Sequence, residues 1–229
     1  KPLTLQRIAS MQTLAILDYG MGNLHSMAKA LERVAPQARI RITQSAAELR
    51  AADRLIFPGQ GAMGHCRAEL AQRDLLDLLP ELAREKPTLG VCLGLQAALD
   101  FSEENGGTQG LGLFPGVVQR FPTGLPEAPG LPPIRIPHMG WNRVEPTRPH
   151  PLFEGIAPGS RFYFVHSYYA PAGSPEVAAV THYGLPFAAA LGRDGFFAVQ
   201  FHPEKSQQAG LRLLSNFSRW DGASPASTS

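Results

Sequence analysis

Cys92 sits in Gly90-Val91-Cys92-Leu93-Gly94, where one apolar run ends and another begins. G-x-C-x-G is the cysteine form of the nucleophile elbow, a tight strand-to-helix turn with a reactive side chain at its tip. A nucleophile on such a turn is forced into strained backbone, and small neighbours let sheet and helix close around it. The sulfur then stands above the C-terminal edge of a strand, where open α/β sheets bind ligands. The N-terminus of the new helix favours the thiolate, and the Leu93 N–H is expected to be free to bind an oxyanion. The same five residues would also suit a buried core cysteine, so the motif needs support from the rest of the chain.

A thiol nucleophile needs a base, and the base needs an orienting group. The histidines are His25, His65, His138, His150, His166, His182 and His202. His202 stands apart because it ends the apolar run of VQFHPEKS and has Glu204 two residues on. In extended backbone residues i and i+2 share a face. Glu204 is therefore expected to hold one imidazole nitrogen while the other faces Cys92, with Pro203 stiffening the arrangement. Pro58-Gly59-Gln60-Gly61 closes another apolar run. Its glycines let backbone N–H groups turn toward a ligand and supply a second oxyanion donor. Taken singly, the first pair could be a surface strand end and the second a plain turn.

These groups must be positioned by a sheet. TLAILDYG (13–20), ARIRIT (38–43), RLIFPG (54–59) and PTLGVC (87–92) read as short buried strands. Between them lie helical patterns: 23–34, a short helix opened by a Ser45/Glu48 capping box, a longer segment through 75–86, and LGLQAALDF (93–101). Strands alternating with helices imply a parallel, doubly covered α/β sheet. After about residue 107 Pro and Gly become frequent and strand candidates crowd together: GVVQRF, RVEP, FYFVHSYY, VAAVTHY and a hairpin at 187–201 turning on Arg193-Asp194-Gly195. A closing amphipathic helix (206–220) precedes a polar tail. The fold class is thus α/β, an open mixed, mostly parallel sheet flanked by helices, with a β-rich second half.

Composition narrows the function classes. At 229 residues with net charge +2, the chain is long enough for one full core and shows no basic run for nucleic acid. No stretch reaches the apolar length of a membrane span, and KPLTLQRIAS lacks the pattern of a secretory signal. The native start is expected near Met11. Cys66 and Cys92 make neither a disulfide framework nor a zinc site, so a reduced, cytoplasmic protein is expected, with Cys66 structural.

In order and spacing, PGQGA, GVCLGLQ and FHPEKS together resemble the class I (triad) glutamine amidotransferase family. Within it, DYGMGNLHSMAKAL (18–31), PHMGWN (137–142), YFVHSYY (163–169) and GLGLFPGVVQRF (110–121) resemble the glutaminase subunits of imidazole glycerol phosphate synthases. The glutamine amidotransferase domain would span 13–220, between an N-terminal extension (1–12) and a polar C-terminal tail (221–229). Gln60 departs mildly from the family, which more often has a smaller apolar residue there.

The resemblance implies hydrolysis of L-glutamine to glutamate and ammonia. Cys92 is the implied nucleophile, His202 the base and Glu204 its orienter. Gly59, Gln60, Gly61 and Leu93 form the oxyanion hole, and Gln96, Ser167 and Tyr168 hold the substrate's α-groups. No metal or organic cofactor is called for. It also implies a heterodimer with the cyclase subunit, a (β/α)₈ barrel, docked on Trp141, Asn142 and Lys205. That subunit uses the ammonia to make imidazole glycerol phosphate and aminoimidazole carboxamide ribotide in histidine biosynthesis. The glutaminase alone would be nearly silent, with the Gly-flanked peptide at Gln60 as the switch. Another triad amidotransferase or a stand-alone γ-glutamyl hydrolase is the alternative enzyme. A regulatory binding module that has lost chemistry is the alternative of a different class. GMGNLHS lacks the spacing of a Rossmann or P-loop motif, so nucleotide binding is not expected.

Overall fold

The structure, a computed structural model, describes residues 11–223. Its regular elements begin with β1 (Thr13–Leu17), α1 (Leu24–Val34), β2 (Arg39–Thr43), α2 (Ala46–Ala51) and β3 (Arg54–Phe57). Next come α3 (Met63–Gln72), α4 (Leu78–Glu85), β4 (Thr88–Val91) and α5 (Leu93–Ala98). The second half adds β5 (Leu99–Ser102), β6 (Thr108–Gln109), β7 (Phe114–Arg120), β8 (His138–Pro146), β9 (Ser160–His166) and β10 (Tyr168–Tyr169). It closes with β11 (Val177–Tyr183), β12 (Leu185–Arg193), β13 (Phe196–Val199) and α6 (Gln207–Arg219).

Nine strands form one open sheet in the order β2-β1-β3-β4-β13-β12-β11-β8-β9. From β2 to β13 the neighbours are parallel, and from β13 to β9 they are antiparallel. The second half is therefore fused to the first half's sheet, as the sequence suggests. Alternation along β1 explains the two covered faces. Leu14 and Ile16 pack with Met27 and Leu31 of α1 and with Leu213, Leu214 and Phe217 of α6. Ala15 and Leu17 point the other way, against Leu70 of α3 and Leu78, Leu79 and Leu82 of α4. A smaller sheet, β10-β7-β5-β6, lies beside α5.

Several local expectations change. The capping box is half made: Ser45 Oγ accepts from the Glu48 N–H, but the Glu48 carboxylate turns outward to Arg41. The longer helical segment is two helices, broken where Asp74 takes a positive φ of 56°. LGLQAALDF leaves the helix after Ala98, because Leu99–Ser102 is the strand that β6 and β7 both pair with; tertiary pairing outweighs helical pattern there. FYFVHSYY is interrupted at Ser167, between β9 and β10. Of the expected extension and tail, residues 1–10 and 224–229 lie outside the described residues. The start of the tail is tied down: Gly195 N–H donates to Gly222 O, and Trp220 Nε1–H to Ala223 O.

His150 is buried at the head of a single 3₁₀ turn, where its Nδ1 accepts from the Leu152 N–H and its ring packs 4.3 Å from Phe197. Burial, helped by the charge of Arg148, lowers its pKa from 6.5 to about 4. Between those values the unfolded chain takes up a proton that the folded one refuses, so stability is full above pH 6.5 and falls toward pH 4. Urea unfolding across that window should show a loss of about 3 kcal/mol from this group, at about 1.4 kcal/mol per pKa unit. His150→Asn keeps an acceptor for Leu152 and should remove this share of the slope, leaving that of the other buried histidines. An unchanged slope would assign the acid sensitivity elsewhere.

Candidate active site

All four residues of β4 are buried, and the strand is flanked on both sides by parallel neighbours, β3 and β13. The chain then reverses at Cys92, whose φ of 53° and ψ of −102° are conformations that non-glycine residues avoid. The surroundings enforce this. A Cβ on Gly94 would lie 2.1 Å from the carbonyl oxygen of Phe57, so the first turn of α5 presses on the backbone of β3. Gln200 Nε2 donates to Cys92 Sγ at 3.6 Å. Gln200 was not singled out from the sequence; the available signal was one amide inside the otherwise apolar run AVQF, and the structure buries it fully.

His202 and Glu204 do pair, but not through extended backbone. His202 precedes a 3₁₀ turn over Pro203–Lys205, and the turn, not a strand face, brings residues i and i+2 together. The imidazole Nδ1 lies 2.9 Å from Glu204 Oε1, with the side chains 1% and 3% exposed. The backbone is held by β9, since His202 N–H donates to Tyr163 O and Ser206 Oγ bridges His202 O and Tyr163 N–H. A carboxylate only accepts, so Nδ1 carries the hydrogen, and in the neutral ring Nε2 presents its lone pair. Among the described residues Nε2 has no hydrogen-bond partner, and neither does Glu204 Oε2. Burial pulls the His202 pKa down, but Cys92 and then Glu204 outweigh it and hold the imidazole above its ordinary value. The pair is poised to accept and keep a proton.

The oxyanion expectation needs correction. Leu93 N–H is not free: it donates to the carbonyl of Gly59 at 3.4 Å. The Gly59–Gln60 peptide therefore turns its oxygen toward the donor that an oxyanion would use. Neighbouring contacts fix the strand on one side of that peptide, where Tyr19 OH donates to Pro58 O at 2.9 Å and leaves no room for a side chain on Gly59. On the other side Gly61 has a φ of 104°, open to glycine alone.

Cys92, Leu93, Gln96, Gln60, Gly61, Ser167, Tyr168 and His202 all line one cavity of about 280 Å³, whereas Gly59 and Glu204 do not line it. That is slightly below the span of drug-sized pockets and suits a single amino acid. Gln96 Nε2 donates to Tyr168 O at 2.9 Å and to Gln200 Oε1 at 3.1 Å, which leaves Gln96 Oε1 for a ligand. Glu104 also lines the cavity and was missed. It lies in a turn, in EENGG, with no periodic pattern to mark it. Its Oε2 accepts from the Met63 N–H.

The three expected docking residues separate into two kinds. Trp141 is 43% exposed beside Met139 at 62%, and both Trp141 and Lys205 approach the Tyr163 ring, at 6.1 and 6.0 Å. Asn142 is half-buried and bonded within the chain: Nδ2 reaches His138 Nε2 and His182 O, and Oδ1 accepts from Arg143 N–H. Its side chain is one strand position from Trp141 and so faces the other way.

The two cysteines should react very differently. Cys66 is 0% exposed, and burial pushes its thiol up to about 12. At pH 8 iodoacetamide should label Cys92 and leave Cys66 untouched in the folded chain, read by peptide mass spectrometry. Equal labelling would contradict the assignment of the reactive thiol.

A family model described as glutamine amidotransferase class-I matches residues 15–219. The imidazole glycerol phosphate synthase subunit HisH of Methylococcus capsulatus is 57% identical over 213 residues, covering 92% of this chain and 98% of that protein. The HisH 1 subunit of Pseudomonas aeruginosa is 52% identical, covering 93% and 99%. Among solved structures, a glutamine amidotransferase aligns with TM-score 0.65 at 18% identity over 90% of this chain and 98% of that one. A glutamine amidotransferase from Thermotoga maritima aligns with TM-score 0.54 at 14% identity, over 91% and 83%. Family match and near full-length identity agree: the chain belongs to the class-I glutamine amidotransferase family, in its branch of imidazole glycerol phosphate synthase HisH subunits.

Proposed function

We propose that the chain hydrolyses L-glutamine to glutamate and ammonia as the glutaminase subunit of an imidazole glycerol phosphate synthase, and passes the ammonia to the cyclase subunit in histidine biosynthesis. One observation carries the chemistry: an unpartnered His202 Nε2, oriented by Glu204, opens onto the same small cavity as the strained Cys92. Full-length relatedness to HisH subunits carries the pathway. A cytoplasmic setting is part of this reading. Among the described residues no helix is long and apolar enough to cross a membrane.

In the proposed reaction His202 Nε2 takes the thiol proton and the sulfur adds to the carboxamide carbon. The C–N bond breaks as the imidazolium protonates the leaving nitrogen, and ammonia departs. Water, deprotonated by the same imidazole, adds to the thioester and releases glutamate and the thiol. Glu204 stabilises the imidazolium that forms twice in this cycle. Gln96 Oε1 and the Glu104 carboxylate are the acceptors for the substrate's α-ammonium, with the Ser167–Tyr168 segment closing the other side. The observed Gly59 carbonyl contact is the resting state. Rotation of the Gly59–Gln60 peptide would free Leu93 N–H and aim Gln60 N–H at the oxyanion. Met139, Trp141, Tyr163 and Lys205 form the face that the cyclase, a (β/α)₈ barrel, covers.

Cys92→Ala should abolish glutamate release while the complex, given ammonium at high pH, still forms product. Glu204→Gln should lose less than His202→Ala, because orientation is only part of the base's work. Near-normal glutaminase in Cys92→Ala would sink the mechanism. Trp141→Ala should weaken cyclase association or raise the glutamate-to-product ratio, measured by titration and by paired product assays. A variant unchanged in both would place the partner face elsewhere.

A further inference from the structure

Two buried histidines that the mechanism does not use lie against the glutamine pocket. His166 lines the cavity, and its Nδ1 is 2.7 Å from the carbonyl oxygen of Tyr168. Its Nε2 is 2.9 Å from Nδ1 of His138, across the β8–β9 pair that aligns the two residues. His138 Nε2 is in turn 3.2 Å from the amide nitrogen of Asn142.

The donors and acceptors of this chain are determined by its two ends. A carbonyl oxygen can only accept, so His166 Nδ1 carries a hydrogen. A neutral His166 then has a bare Nε2, which requires a hydrogen on His138 Nδ1. A neutral His138 has a bare Nε2, which requires a donor from residue 142. Asn142 supplies one, because its amide nitrogen also donates to His182 O and its oxygen is taken by Arg143 N–H. Every link is satisfied with both rings neutral, each as the Nδ1–H tautomer, and a proton added to either ring would break a link.

The rings around the pair favour the neutral forms. His138 stacks on Tyr183 at 4.0 Å and on Phe164 at 4.9 Å, and His166 packs on Phe121 and Phe187. Burial lowers His138 to about 4 and, with the neighbouring histidines, His166 to about 3. The chain also continues inward. Tyr168 O accepts a second bond from Gln96, whose nitrogen holds Gln200, which donates to the Cys92 sulfur.

We propose that His138 and His166 are positioning residues for glutamine binding: a one-way hydrogen-bond chain from Asn142 fixes the Tyr168 carbonyl, and through it the Gln96 side chain that meets the substrate. This rests on the glutaminase reading of the cavity. The pair links the strand that carries Trp141 to the pocket wall without touching the reacting atoms. Losing the His138 donor frees the His166 ring to rotate and releases the Tyr168 carbonyl and Gln96 from their fixed places.

The test uses the complex with the cyclase and its nucleotide ligand, assayed for glutamate release against glutamine concentration. His138→Phe fits an aromatic nest but has no donor, and should raise KM about tenfold with kcat within about threefold, the scale of one hydrogen bond. His138→Asn places a side-chain amide near the lost Nδ1–H and should bring KM most of the way back. A KM within twofold of the parent in folded His138→Phe overturns the proposal, as does an equal loss in both variants. Nitrogen-15 NMR of the parent complex reads the chain even where His138→Phe fails to fold. Both rings should be Nδ1–H tautomers at pH 7.5, and an Nε2–H or charged ring at either position overturns it. Failure of the glutaminase reading itself would look different: the parent complex would release no Cys92-dependent glutamate.

Discussion

The fold is organised around one strained residue. Cys92 is driven to positive φ because β4 must end, turn and start α5 within a single residue, between two parallel neighbours that leave no room for a wider turn. Such a backbone costs roughly 1–3 kcal/mol and survives only where its surroundings hold it. Here β3 holds it from one side, where Gly94 touches the Phe57 carbonyl, and β13 from the other, where Cys92 N–H donates to Val199 O. The same two strands lead directly into the other parts of the cavity: β3 into Pro58–Gly61 and β13 into Gln200 and His202. Parallel pairing thus gathers three sequence-distant segments at one edge of the sheet.

The antiparallel half completes what the parallel half begins. Strand β9 fixes the backbone of His202 through Tyr163 and supplies Val165 and His166 to the cavity wall, while β8 beside it carries Met139 and Trp141 on its outer face. The pleat sends Asn142 and His138 inward and their neighbours outward. One strand therefore serves both the pocket and the proposed partner face, which gives a short physical path between them.

The parts legible in the sequence were those set by local pattern. Apolar runs ending in Gly or Cys marked β1, β3 and β4, and the small residues around Cys92 marked the elbow. The missed parts depend on where distant backbone lies. Glu104 enters the cavity because β5 and β6 bracket its turn; Gln200 reaches sulfur because β13 pairs with β4. Asn142 was expected beside Trp141 at the partner face, but strand alternation points its side chain the other way, toward His138. The His202–Glu204 contact was anticipated for the wrong backbone reason, since a 3₁₀ turn and an extended strand can both bring i and i+2 together. The state of the Gly59–Gln60 peptide was beyond any sequence pattern: two glycines permit either orientation, and only the contact to Leu93 selects one.

That contact is the centre of the proposed function: Leu93 N–H, the proposed oxyanion donor, is occupied by the Gly59 carbonyl, and on that proposal the isolated subunit rests. Loss of one oxyanion donor costs about 10²–10³ in rate. The most direct test is glutamate release by the isolated chain, by the chain with the cyclase subunit, and by that complex with the cyclase's nucleotide ligand. The account predicts a rise of at least about two orders of magnitude from first to last. Equal rates in all three would contradict it and leave the Gly59 carbonyl without a regulatory role.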